Sequence, residues 1–587
     1  MRPMLEIYNI MYNMKKAILI TALLALVGLQ TPRSWACTNF LFSKGSTTDG
    51  STMITYAADS HTRYGQLRHC PAANHEPGEM LDIYDYGSLK YLLSIPQPAH
   101  TYNVVGFINE HQLAIGETTW GGRAELEHGN KTGIDYGNLI YVTLMRARNC
   151  REAIKVMDEL TRTYGYCNGG ESFSLCDPNE VWIYEIIDKG DEQGAVWVAR
   201  RVPEGYVCGH ANQARITQFP QETGKFKKVK GKGLHKVISS AHLDYIDEPE
   251  VECVYSSDVV SFARKQGWYN GSDAEFSFAD TYNPLTFSGA RACDARVYAM
   301  FNRVSPDMKR YEAYAMGDLK AERLPLWIKP DHKISVLEVM SLMRDHFEGT
   351  PMDMTQDVGA GPFQCPYRWR PMDFEVDGVK YVHERATSTQ QTGFSFVAQC
   401  RSWLPNKVGG IIWFGVDDTY STCYCPMFCG LTEIPLCFRE GNGSMSQYSE
   451  TSAFWLFNRV SNFCYLRYDV MIKDVQKVQQ RWEELFIQNV GTVDESEVWQ
   501  NVTNINRFCA ERADEMMQAW QRLDHLLLTK YIDGNIKQYE GGKNGHYECG
   551  KILTTETGVV KYPAQPPYPE WFYRQIVDDH GDILRVK

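Results

Sequence analysis

Residues Met14–Phe42 read MKKAILITALLALVGLQTPRSWACTNFLF, and the junction Ala36-Cys37 inside this stretch governs the reading of the rest of the chain. Two lysines precede a 13-residue apolar run, and the polar segment after it places Ser34 and Ala36 at −3 and −1 relative to Cys37. That is the three-part layout of a secretory signal, and the run is too short to span a bilayer stably. An uncleaved anchor is the competing reading. Residues 1–13 add nothing a signal needs and read as an upstream extension. A cysteine just behind a signal can also be lipidated, but that processing wants small residues ahead of it, and Trp35 is bulky. The expectation is cleavage between Ala36 and Cys37, with the product in the periplasm or the medium.

Cleavage there makes Cys37 residue one. An ordinary cysteine, with a pKa of about 8.5, is mostly protonated at neutral pH and a poor nucleophile. An α-amino group has a pKa of about 7.7–8.0 and can take the thiol proton directly or through water, so nucleophile and base occupy one residue. Disulfide bonding of Cys37 is the bland alternative. The run Thr38–Ser43 behind it reads as a strand, and a nucleophile at a strand's start is held rigidly by the sheet.

From there the chain reads as hairpins. Thr38–Ser43 and Thr52–Tyr56 flank Asp49-Gly50; Asn103–Ile108 and Leu113–Thr119 flank Asn109–Gln112; Ser172–Leu175 and Val181–Ile187 flank Asp177–Glu180; Val196–Val202 and Tyr206–His210 flank Pro203-Glu204-Gly205. Loops this short require antiparallel pairing. Gly393–Trp403 and Gly409–Val416 form a later hairpin. Cys150–Tyr164 carries Ala153, Val156, Met157 and Leu160 at helical spacing. Met471, Val475, Val478, Trp482 and Leu485 mark a second helix, and Val502, Ile505, Cys509 and Met516 a third, paired antiparallel across 491–497. The fold class is therefore α+β, with stacked antiparallel sheets flanked by helices. The division is an N-terminal extension and signal (1–36), a core (37–440), a helical hairpin region (441–540) and a tail from Gly541 to Lys587 that runs over the surface.

Removing residues 1–36 takes away four basic residues and one acidic, moving the formal charge from −12 to −15. Such a field repels phosphate backbones and argues against nucleic acid as partner. No later segment has 18 uninterrupted apolar residues, so stable membrane insertion after cleavage is not expected. Of 17 cysteines, Cys423, Cys425 and Cys429 form a C-x-C-x3-C cluster. No histidine lies near it and only Cys437 follows, so buried thiols or a disulfide fit better than zinc. No metal or organic cofactor is expected, and a homo-oligomer is compatible with the sequence.

Ala36-Cys37-Thr38, Asp49–Met53 and Asp59-Ser60 resemble the opening of the PepD-type dipeptidases, a cysteine peptidase family that includes secernin-like proteins. Gly106–Glu110, Gly116-Glu117-Thr118-Thr119, Gly170–Phe173, Asp177–Glu180 and His210–Ile216 continue the likeness in order, strongly over 37–300 and onward to about 490. The resemblance implies the αββα sandwich of N-terminal-nucleophile (Ntn) hydrolases and cleavage of dipeptides or short peptides through a thioester on Cys37. Hydrolysis of another amide, such as an acyl-amino acid, a conjugated bile acid or penicillin V, is the alternative within the same fold, and a non-catalytic peptide-binding lipoprotein is the alternative outside it. The resemblance further implies that Asp59 positions the nucleophile's amine, that Asn212 supplies an oxyanion donor, and that Arg296, with Arg291 its competitor, biases the thiol toward thiolate. Thr118 and Tyr56 are implied at the substrate. Where related hydrolases carry an arginine three residues before the aspartate, this chain has Tyr56, so positive charge has to come from elsewhere. His210 is read as structural, since the amine of Cys37 serves as base.

Overall fold

The computed structural model describes residues 37–126, 133–222, 226, 235–369, 373–494, 501–537 and 564–587. The signal-like segment, residues 495–497 of the expected 491–497 loop and the tail as far as residue 563 lie outside the described residues, whereas 491–494 are no loop but continue the helix Tyr468–Asp494.

Gly410–Val416 reads GIIWFGV and Thr392–Cys400 reads TGFSFVAQC, and every residue of both strands is buried, as in Asn39–Phe42 and Thr52–Asp59. Antiparallel strands buried on both faces need a cover on each side. These four strands form the middle of a seven-stranded sheet, in the order Trp327–Ile328, Val207–His210, Asn39–Phe42, Thr52–Asp59, Thr392–Cys400, Gly410–Val416, Cys425–Phe428. A nine-stranded sheet has Glu192–Arg201, Val181–Lys189, Gly170–Cys176 and Ala114–Gly121 as consecutive neighbours. Its pairs are antiparallel except Val237–Ser239 with Cys253–Tyr255. The two sheets meet where Asn39–Phe42 and Thr52–Asp59 pack on Ala114–Gly121, Gly170–Cys176 and Val181–Lys189.

Helices supply the remaining cover. Tyr136–Arg146 and Cys150–Tyr164 pack on the nine-stranded sheet. The second starts where Asn149 accepts a hydrogen bond from the Glu152 N–H, and it stops at Gly165, whose φ of +85° a side chain would resist. Ala295–Val304, Val336–Leu342, Ala453–Cys464, Tyr468–Asp494 and Val502–Tyr531 pack on the seven-stranded sheet. Lys530 and Tyr531 reach Asp474 at 2.6 and 2.8 Å, so the last two helices run antiparallel. No helix of the described residues is long and apolar enough to cross a membrane.

Three expectations need correction. Val196–Val202 and Tyr206–His210 do not form a hairpin: the first run pairs with Val181–Lys189 in one sheet and Val207–His210 with Asn39–Phe42 in the other. Pro203-Glu204-Gly205 thus carries the chain between layers. Asn103–Ile108 is no single strand, because Gly106, at φ +57°, turns the chain so that Val104-Val105 pairs with Ile108-Asn109. On the helix Tyr468–Asp494 the buried face runs through Met471, Val475, Gln479, Glu483, Phe486 and Val490, while Leu485 is 36% exposed. The apolar stripe is rotated because two buried polar residues belong to it. Gln479 donates to the carbonyls of Tyr420 and Thr422, and Glu483 pairs with Arg344 and accepts the Tyr424 N–H at 2.9 Å.

The other expected hairpins pair as read, and 393–416 joins the sheet of Asn39–Phe42 through Thr52–Asp59. Cys423, Cys425, Cys429 and Cys437 are buried thiols. The described part of the tail lies at the surface and forms the helix Glu570–His580.

Candidate active site

Cys37 stands at the head of the central strand, where Thr38 exchanges backbone hydrogen bonds with Ala57 of the neighbouring strand at 3.3 and 3.0 Å. In this uncleaved chain its nitrogen is an amide, and the residue is 3% exposed. Its Sγ lies 3.9 Å from the Tyr56 hydroxyl and 4.0 Å from Glu117 Oε1. Burial pushes the thiol well above its ordinary value, the charges of Glu117 and Asp59 push the same way, and hydrogen bonds from the Asp59 backbone and Tyr56 only partly offset them. The sulfur is therefore a neutral thiol at pH 7.

Arg296 organises the surroundings. It enters from the helix Ala295–Val304 with all three nitrogens engaged: Nε donates to the Ala292 carbonyl, Nη1 to the Cys37 carbonyl at 2.7 Å and Thr38 Oγ1 at 2.8 Å, and Nη2 to the Ala211 carbonyl and Asn212 Oδ1 at 2.9 Å. Burial, reinforced by Arg385, lowers it to about 10, so it stays a cation at neutral pH. Asn212 follows the strand Val207–His210 at φ +63°, a conformation asparagine tolerates better than most residues. With Oδ1 held by Arg296, its Nδ2 donates to the Thr119 carbonyl at 2.5 Å. One guanidinium thus ties the backbone of Cys37 to the side chain of Asn212. Arg291, the competitor, is turned to Glu384.

Asp59 is fully buried, its carboxylate accepting from Thr392 Oγ1 at 2.6 Å and from Arg385 at 2.8 Å. Burial raises its pKa, opposed first by Arg385. Arg385 is the cation the sequence reading lacked. It comes from more than 300 residues downstream, and no local motif announces it. Tyr56, in the position of the absent arginine, donates to Glu117 and sits edge-on to Phe107, Phe394 and Phe396.

Glu117, within the run Gly116–Thr119, is a site residue that its sequence motif does not single out. It and Glu171, from the adjacent strand, are both buried. Burial and the Glu117 charge drive Glu171 well above the carboxylate range, so Glu171 keeps its proton, and burial raises Glu117 as well. The Thr118 hydroxyl is not directed at the thiol but bonds His210 Nδ1 at 2.7 Å, while Ser174 takes Nε2 at 2.7 Å. His210 is thereby a strut between the sheets, its imidazole lowered to about 3 by burial. Among the described residues no group of three His, Cys, Asp or Glu is placed to hold a metal ion.

A buried thiol among carboxylates, guanidinium groups and an oriented amide, at the seam of two sheets, has the parts of a hydrolase. The family model described as Peptidase family C69 matches residues 89–481. This chain belongs to that family and is a peptide-bond hydrolase, in agreement with the resemblance drawn from its motifs. Glu117, Thr118, Asn212, Arg296 and Arg385 lie within the match, whereas Cys37, Tyr56 and Asp59 precede it. The chain is 23% identical over 417 residues to a probable dipeptidase of Salmonella dublin, covering 68% of this chain and 81% of that one. It is 21% identical over 468 residues to a probable dipeptidase of Latilactobacillus sakei, covering 76% and 85%. The identity to a probable dipeptidase B of Streptococcus pyogenes serotype M1 is 21% over 476 residues, covering 77% and 83%.

Proposed function

We propose that the chain is an exported cysteine dipeptidase of the Ntn type, with the αββα sandwich of that class, released for work by cleavage between Ala36 and Cys37. The observation that carries this reading is the placing of Cys37: a thiol at the head of a central strand, its carbonyl held by the same Arg296 that orients Asn212. The names of the relatives point to dipeptides as the substrate class.

In the uncleaved chain the Cys37 nitrogen is an amide without a basic lone pair, and the buried thiol keeps its proton. Cleavage turns that nitrogen into an amine able to accept the proton. The thiolate attacks the carbonyl carbon of the first residue of the peptide, and Asn212 Nδ2 with neighbouring backbone N–H groups bears the developing oxyanion. The ammonium returns the proton to the leaving amine, and water hydrolyses the thioester. The positive charge of Arg296, and that of Arg385 acting through Asp59, favours the thiolate over the thiol.

The test is a panel of unblocked dipeptides set beside a conjugated bile acid and penicillin V, with Cys37→Ala as control. Dipeptides should be the preferred substrates, and Cys37→Ala should lower kcat/KM by about 10⁴-fold or more. An active Cys37→Ala protein refutes the thiol mechanism; turnover confined to bile acid or penicillin V refutes the substrate class.

A further inference from the structure

The carboxyl pair beside the thiol has no assigned part in the acyl-transfer scheme. Glu117 Oε1 stands 4.0 Å from Cys37 Sγ, and Tyr56 donates to the same oxygen. Glu171 is oriented from behind by Thr119 Oγ1 at 2.8 Å. Both carboxyl groups come from paired central strands, Ala114–Gly121 and Gly170–Cys176, so their places are fixed by sheet register.

We infer that Glu117, backed by Glu171, binds the α-ammonium group of the substrate and so makes a free N-terminus the recognised feature. This deepens the dipeptidase reading above and rests on it. The distances suit the task. In any peptide the α-nitrogen lies about 2.5 Å from the carbonyl carbon of its own residue. A sulfur poised for attack lies about 3–3.5 Å from that carbon. An ammonium nitrogen sits about 2.7–2.9 Å from a carboxylate oxygen that holds it. A carboxylate reading the ammonium of the attacked residue must therefore stand within a few ångström of the sulfur, as Glu117 does.

The chemistry is equally suited. With Glu171 held protonated by burial and by the Glu117 charge, the pair carries at most a single negative charge, which one ammonium neutralises. Burial strengthens that pairing and makes its loss costly. An N-acylated peptide brings an amide in place of the ammonium, is neutral at that point, and leaves the buried charge unmatched. Selection for the free terminus thus works by attraction of one substrate and by penalty on the other.

The experiment compares Ala-Ala with N-acetyl-Ala-Ala, using the active enzyme, Glu117→Gln and Glu171→Gln, each variant checked for a wild-type melting temperature. Wild type should favour the unblocked peptide in kcat/KM by about 100-fold or more, the scale of an unpaired buried charge. Glu117→Gln should lose about 100-fold on Ala-Ala, chiefly through KM, and should cut the preference for Ala-Ala over the acetylated peptide by about tenfold or more. Glu171→Gln should lose about tenfold with the same selectivity, and it carries the test if Glu117→Gln does not fold. Equal losses on both peptides overturn the inference, since Glu117 then serves the thiol or the enzyme's own amine. A wild type indifferent to acetylation overturns it while leaving the dipeptidase reading intact. A wild type that cleaves neither peptide overturns that reading and the inference with it.

Discussion

Cys37 announces itself in the sequence because the chemistry proposed for it depends on what precedes it, and the apolar run, Ser34 and Ala36 lie just ahead of it. Its partners are harder to read. Asp59, Asn212 and Arg296 stand in recognisable motifs, and the structure gathers all three around Cys37. Arg385 was illegible because a charge pair across 326 positions leaves no local pattern. His210 shows how burial fixes a role. Both its nitrogens bond hydroxyl groups of the opposite sheet, and its folded pKa is about 3. The unfolded chain protonates it near pH 6.5, so between the two values the unfolded state binds more protons and stability falls as pH drops. Glu185, raised to about 7 by burial, acts in the opposite sense between its ordinary value and 7, so the two must be separated by difference. We predict that wild type loses stability faster than His210→Gln by up to about 1.4 kcal/mol per pH unit between pH 6 and pH 4, measured by urea unfolding. Parallel pH profiles contradict the assignment.

At the scale of elements, alternation located the strands but not their sheet. Val207–His210 looks like the return arm of a hairpin because Pro203-Glu204-Gly205 is good turn sequence, yet its partner is Asn39–Phe42. Period two records which residues are buried and carries no information on which layer buries them. The helix Tyr468–Asp494 teaches the complementary lesson. A hydrophobic stripe chosen by residue type selects Leu485, while the buried face holds Gln479 and Glu483 because each satisfies backbone or charged groups. Glu483→Ala takes from the buried Arg344 its carboxylate partner and from the Tyr424 N–H its acceptor, and should cost about 3–5 kcal/mol. Leu485→Ala, at a more exposed position, should stay within about 1 kcal/mol. Urea midpoints of the two variants test this directly, and the reverse order contradicts the placement of the helix.

For the molecule as a whole, the site is a property of the seam. Asn39 turns its amide toward the backbone of Glu117, at 3.0 Å to the carbonyl and 2.9 Å from the N–H, and accepts from Ser174 at 3.3 Å, so one side chain locks the strand that follows Cys37 to the opposite sheet. Cys37 and Asp59 enter from one layer and Glu117 and Glu171 from the other. The α+β composition and three of the five hairpins were legible in the sequence, since each follows from local spacing; the meeting of two layers over a single sulfur was not, since it depends on long-range register. On the proposed mechanism, activity turns on whether the amide nitrogen of Cys37 becomes an amine. The direct test is N-terminal sequencing and intact mass of the catalytically active protein. The account predicts a chain starting at Cys37 with an unmodified amino group. A fully active enzyme that keeps even one residue ahead of Cys37 contradicts it.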